Sequence, residues 1–124
     1  MNSQIIEPST IGLSESTHAL LTKLKEDGYF SEMQDGYRFG ISLALSKDII
    51  PEEISGNKRT TFNIGTLDPD KTIYKAIKLL LDTQDVPVYR WAERLAEWGI
   101  LELAKKAESG DIDFGEIIHQ AHKM

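Results

Sequence analysis

The sequence predicts a mainly α-helical fold: a dimerising segment over residues 10–47, then a helical hairpin, then a short C-terminal helix. Three observations carry that prediction. Residues 10–47, TIGLSESTHALLTKLKEDGYFSEMQDGYRFGISLALSK, join a short extended stretch to two segments of helical apolar period, separated by a glycine turn. The second segment is apolar around most of its circumference, more than an isolated helix pair can hide. Helical periodicity then returns after residue 67 and is interrupted near Pro87 and at Ser109–Gly110.

Residues 1–9 read as a loose arm with Ile5 and Ile6 as its apolar anchors, where Pro8 would interrupt a central strand. Extended structure is expected only near residues 9–13 and 60–64. Ser14 is a good N-cap for a first helix, Glu15 to Glu26, whose stripe of Thr17, Leu20, Leu21 and Leu24 ends before Gly28. Ser31 and Gln34 have capping-box spacing and start a second helix at Glu32 that runs to Lys47. On it Met33, Tyr37, Gly40, Ile41, Ala44 and Leu45 fill one broad side, Phe39 and Leu43 widen the arc, and Asp35, Arg38, Ser42 and Ser46 form the polar wedge. Glycine inside a helix costs about 1 kcal/mol relative to alanine, so Gly36 and Gly40 imply close approach of another helix. A symmetric dimer is the simplest cover for this arc, with Leu13, Met33, Tyr37, Gly40, Ile41, Ala44 and Leu45 at its interface.

From Asp48 to Leu67 the period disappears among Pro51, Gly56, Asn57 and Gly65, and TTFNI reads as a short strand or a loop. This divides the chain into residues 1–59 and residues 60–124. Asp68 before Pro69 starts a third helix, striped by Ile73, Ile77, Leu80 and Leu81 and ending near Gln84. Pro87 opens a fourth, Val88 to Glu108, with Val88, Ala92, Leu95, Gly99 and Leu103 inward. The short link Asp85–Pro87 makes the pair an antiparallel hairpin, with Trp91 against the third helix and Trp98 nearer its rim. A last helix begins after Asp111 or Asp113 with Phe114, Ile117, Ile118 and Ala121 as its apolar side.

An extended segment ending in Ile11, Leu13 and Ser14, a helix, Gly28, the Ser31 cap and a second amphipathic helix together resemble the ribbon-helix-helix family. The resemblance implies two chains that pair their strands and interlock their helices. The phrases LSESTHALLTKLK and YRFGISLALS are also similar to the helical E component of the bacterial Dnd DNA-sulfur-modification system, which implies a DNA-linked process. With Ile11 and Leu13 inward, the outward ribbon positions are Pro8, Thr10 and Gly12. Neither proline nor glycine can make a bidentate base contact, so DNA bound through Thr10 and its neighbours is expected to be held weakly and without sequence preference.

Composition narrows the function further. With 124 residues, 40% of them apolar, the chain can bury a real core. The net charge is −6, and residues 1–60 carry 6 basic and 9 acidic side chains against 8 and 11 in residues 61–124, so neither half is a polycation. There is no cysteine, which excludes disulfides and thiolate chemistry. No apolar run is long enough to span a bilayer and the N-terminus lacks a leader pattern, so a cytoplasmic protein without membrane contact is expected.

Candidate chemistry is sparse. Arg38, with Asp35 three residues before it, is a phosphate or partner contact or, more simply, half of a structural ion pair. Trp91, Arg94 and Trp98 have the spacing to stack a guanidinium between indoles, as a platform for a base or peptide or as the edge of the core. Arg90, Glu93, Arg94 and Glu97 alternate in sign like a solvated helical face, from which Arg90 joins Thr10, Arg38, Trp91, Arg94 and Trp98 as a candidate nucleic-acid or partner contact. His119 and His122 could present two metal ligands but lack a completing set, and His18 is a boundary residue. No catalytic triad, phosphate-cradling loop or isolated carboxylate pair is present, so no enzyme activity, metal or cofactor is expected. The sequence thus favours a non-catalytic regulatory or accessory protein that is at least dimeric, its association with DNA implied only by the resemblances, with a protein-protein assembly module that binds no nucleic acid as the alternative.

Overall fold

The computed structural model describes residues 5–110. In chain order they form β1 (Thr10–Ser14), α1 (Glu15–Glu26), α2 (Met33–Ser46), β2 (Lys58–Asn63), α3 (Ile64–Leu67), α4 (Thr72–Leu80) and α5 (Val88–Ser109). The expectation of a mainly α fold built on a dimerising ribbon is corrected here. The described residues make a small mixed α/β domain in which β1 pairs antiparallel with β2 of the same chain. The register joins Leu13 to Arg59 and Gly12 to Thr60, then slips between Gly12 and Ile11, so that Thr61 bulges before Phe62 meets Ile11.

The wide arc of α2 is covered from within the chain. Leu13, Tyr37, Gly40, Ile41, Ala44 and Leu45, offered as a dimer interface, are all buried in the chain's own core, and Met33 packs on its margin. The covering element is α5, a 22-residue helix that buries Trp91, Ala92, Leu95, Ala96, Gly99, Ile100 and Leu103. Where α2 and α5 cross, Gly40 and Gly99 meet backbone to backbone. The interior glycine does buy close approach, but to a helix from the second half of the same chain. Residues on both sides of the expected boundary at residue 59 share this single core.

Local signals hold in α1 and shift elsewhere. The Ser14 hydroxyl accepts from Thr17 N–H and caps α1, whose buried face is Thr17, Leu21 and Leu24. The Ser31–Gln34 box does not form: α2 starts at Met33, and its N-cap, Glu32, makes no side-chain cap bond. Asp68 does cap the third expected helix, but from a distance. Its two carboxylate oxygens accept from Ile73 and Tyr74 N–H, each at 3.0 Å, across a turn in which Lys71 adopts a left-handed conformation (φ 60°). That helix, α4, ends at Leu80 rather than Gln84, leaving 81–87 as the connector to α5. The last expected helix, with Phe114, Ile117, Ile118 and Ala121, lies outside the described residues.

Candidate functional site

The acids of α5 that read as a solvated face are turned inward. Glu93 is only 3% exposed; its Oε2 accepts from Gly12 N–H at 2.9 Å. Glu97, one turn on, accepts from Ser14 N–H at 3.0 Å through Oε1 and from the Ser14 and Thr17 hydroxyls, each at 2.7 Å, through Oε2. Four residues of helix rise about 6 Å and two residues of strand about 7 Å. The two carboxylates therefore keep step with the two N–H groups that β1 turns away from β2. The Gly12 carbonyl on the same side accepts from the Tyr37 hydroxyl at 2.8 Å. Burial, and next the charges of Glu93 and Glu97, push that hydroxyl well above the ordinary tyrosine range, so it serves as a neutral donor.

The other oxygen of Glu93 reaches a surface cleft. Oε1 accepts from Lys58 Nζ and from the Arg90 guanidinium, both at 3.0 Å, while the two cations stay about 40% exposed, at 39% and 40%. Arg94 lies over the face of Trp91 with its guanidinium carbon 4.6 Å from the ring centroid. These three cations and Glu53, with an apolar floor of Ile54, Val86 and Pro87, line a cleft of about 290 Å³ where β2 begins beside the first turns of α5. Arg59, next along β2, lies instead beside α1, where it reaches Glu15 at 3.9 Å. Three cations against the carboxylates of Glu53 and Glu93 leave the cleft net positive on a net-acidic chain.

Of the expected contact residues, Arg90 and Arg94 line this cleft, with Trp91 buried beneath the Arg94 guanidinium, and Arg38 and Thr10 do not reach it. Arg38 donates to the Leu67 carbonyl at 3.0 Å and the Thr66 carbonyl at 3.2 Å, closing the end of α3, and pairs with Asp35 at 3.6 Å. Thr10 is half-buried opposite Asn63 in the ladder. Trp91 is 8% exposed, its indole N–H donating to the Thr83 carbonyl, whereas Trp98 is half-buried on the margin of the core, so no guanidinium is sandwiched between the two rings. Lys58 lines the cleft and is not among the expected contact residues. Its signal in the sequence is the basic pair Lys58–Arg59 that heads the TTFNI stretch.

Two further carboxylates act on remote backbone. Glu7 accepts from Val88 and Tyr89 N–H at 2.9 and 3.0 Å and so caps α5. It, rather than Ile5 and Ile6, which are 44% and 81% exposed, anchors the arm. Asp68 is buried and also accepts from the Tyr89 hydroxyl at 2.8 Å; burial first, then this bond, raises the Tyr89 ionisation above its usual value. Among the described residues no buried side-chain nitrogen or oxygen lacks a hydrogen-bond partner, and no group of three His, Cys, Asp or Glu is placed to hold a metal. His18 is half-buried beside Arg59, and its ionisation is lowered by burial and then by that cation; His119 and His122 lie outside the described residues. No helix among the described residues is long and apolar enough to cross a membrane. No protein-family model, curated protein or solved structure matches the chain.

Proposed function

We propose that this chain is a non-catalytic accessory module that binds an anionic protein partner at the cleft formed by Lys58, Arg90 and Arg94. The convergence of two of these cations on one buried carboxylate oxygen carries the reading. A single Glu93 oxygen cannot saturate a lysine and an arginine, whose remaining N–H groups face solvent and suit a carboxylate or other anion. The acids that might have served as general acids or bases are spent on the fold, Glu93 and Glu97 on β1 and Asp68 on α4.

A protein partner is favoured over a second copy docked on α2, because α5 already covers that arc. It is favoured over DNA because the net charge of −6 opposes binding to a long polyanion, for which three clustered cations offer short reach. DNA, the ligand implied by the resemblances, is the competing outcome of the same experiment. Fluorescence anisotropy compares a labelled glutamate-rich peptide, its glutamine counterpart and a random DNA duplex at low and physiological salt. The expected result is salt-sensitive binding of the acidic peptide, weakened about tenfold by Arg90→Gln with Arg94→Gln. Equal binding by the parent and this folded double variant, or tighter binding to the duplex, would refute the reading.

A further inference from the structure

The three cations of the cleft are not held alike. Lys58 and Arg90 each spend a donor on Glu93. Among the described residues the Arg94 guanidinium makes no hydrogen bond or ion pair; it is held by the face of Trp91, a ring itself fixed by burial and by its bond to the Thr83 carbonyl. Packing thus positions its N–H donors and leaves them for a ligand, and a guanidinium suits the two oxygens of a carboxylate. The apolar floor of Ile54, Val86 and Pro87 belongs to the same cleft and is half-buried. Three cations against the carboxylates of Glu53 and Glu93 leave one net positive charge, the match for a single carboxylate. At about 290 Å³ the cleft lies at the small end for ligand sites, which suits the end of a chain better than a segment passing through.

We propose that the cleft takes the C-terminal residue of a protein partner, its α-carboxylate on Arg94 beside Lys58 and Arg90 and its aliphatic side chain on Ile54, Val86 and Pro87; the inference rests on the anionic-partner reading above and names its anion. In a chain-terminal residue the carboxylate and the side chain leave the same carbon, so one residue reaches both parts of so small a cleft. Capture of a terminal carboxylate is a recurring mode of peptide recognition. An internal glutamate brings a carboxylate without an aliphatic group on the same carbon, and a run of glutamates would set further charge against Glu53. A phosphorylated side chain carries a charge of about −1.5 to −2, more than the cleft neutralises, and leaves the floor uncovered.

The test is calorimetric titration of the full chain with unlabelled, acetylated hexapeptides of glycine and serine. One ends in leucine as the free acid, one in leucine amide and one in serine as the free acid; a fourth, amidated, carries a single internal glutamate. The expected result is that the leucine acid binds at least about tenfold more tightly than each of the others. Arg94→Gln should remove that preference over the amide, and Arg94→Lys, which keeps the charge and loses the fork, should restore only part of it. If the glutamate peptide binds as tightly as the leucine acid and Arg94→Gln weakens both, the terminal-residue inference is wrong and the anionic-partner reading survives. Equal binding of the serine acid would overturn the role of the apolar floor, and equal binding of N-acetylleucine would make the ligand a small acid instead of a protein terminus. If no peptide binds, or binding survives Arg90→Gln with Arg94→Gln, both readings fail.

Discussion

Gly99 lies against the peptide of Gly40 at the crossing of α2 and α5, so closely that a methyl group at residue 99 would overlap the Gly40 carbonyl. The relation is not symmetric. A methyl group at residue 40 would lie 3.2 Å from the Ala96 carbonyl oxygen and from Ile100, tight but within reach of a small adjustment. Gly99→Ala should therefore cost about 3 kcal/mol or more, the upper range for overpacking, since backbone must move. For Gly40→Ala, a helix-propensity gain of about 1 kcal/mol offsets part of the strain. Urea unfolding of the two variants checks the order, and equal stabilities would contradict the crossing.

Glu93 should matter more to the fold than its surface neighbours do. In Glu93→Ala the buried Gly12 N–H loses its acceptor, a loss of about 1 to 3 kcal/mol. Lys58 and Arg90 are exposed enough to be rehydrated and add little. Hydrogen exchange should show the Gly12 amide accelerating well before amides in α1, and an unchanged Gly12 rate would contradict the bond.

Stability should fall as pH rises above about 10. The folded-state ionisations of Tyr37 and Tyr89 are both raised, chiefly by burial, so the unfolded chain releases its protons first and alkali favours unfolding. Their contribution is fully present below the ordinary tyrosine value and is lost towards the raised folded one. Tyr37→Phe should lower stability at neutral pH by about 1 kcal/mol, through loss of the bond to Gly12, yet flatten the alkaline fall. Parallel alkaline slopes for parent and variant would disprove the assignment.

The two tryptophans should differ in fluorescence. With Trp91 8% exposed and hydrogen-bonded to Thr83, the Trp98→Phe variant, which keeps Trp91, should emit further to the blue and resist acrylamide better than Trp91→Phe. Removing the buried ring in Trp91→Ala should cost about 3 to 5 kcal/mol. Equal quenching of both single-tryptophan variants would break this arrangement.

Because the apolar arc of α2 is covered within the chain, Ile41→Asp should unfold the protein at every concentration instead of releasing folded monomers. Sedimentation with circular dichroism distinguishes the two, and a folded Ile41→Asp monomer would restore the case for a seam between copies.

Local chemistry made much of this fold legible. The Ser14 cap, the Thr17, Leu21 and Leu24 face of α1, and the inward positions Val88, Ala92, Leu95, Gly99 and Leu103 of α5 all follow from spacing. The breadth of the α2 arc was legible too, and a single sequence could not say whether its cover came from residue 99 of the same chain or from another. The site was less legible. Glu93 and Glu97 look like members of a solvated face because their partners are backbone N–H groups more than 80 positions away, which leave no mark on local periodicity. Ser31 and Gln34 show the converse, correct spacing for a box that does not form.

The carboxylates that finish β1 reside on the last helix of the described chain, while the strand itself comes near the start. During vectorial synthesis β1, α1, α2 and β2 therefore emerge from the ribosome with the Gly12 and Ser14 amides unsatisfied and the α2 arc bare, until the segment holding Glu93, Glu97 and Gly99 follows. Closure over so long a separation delays the cooperative step until α5 has been made. Nascent chains halted before α5 should accordingly be the species that chaperones capture and proteases cut.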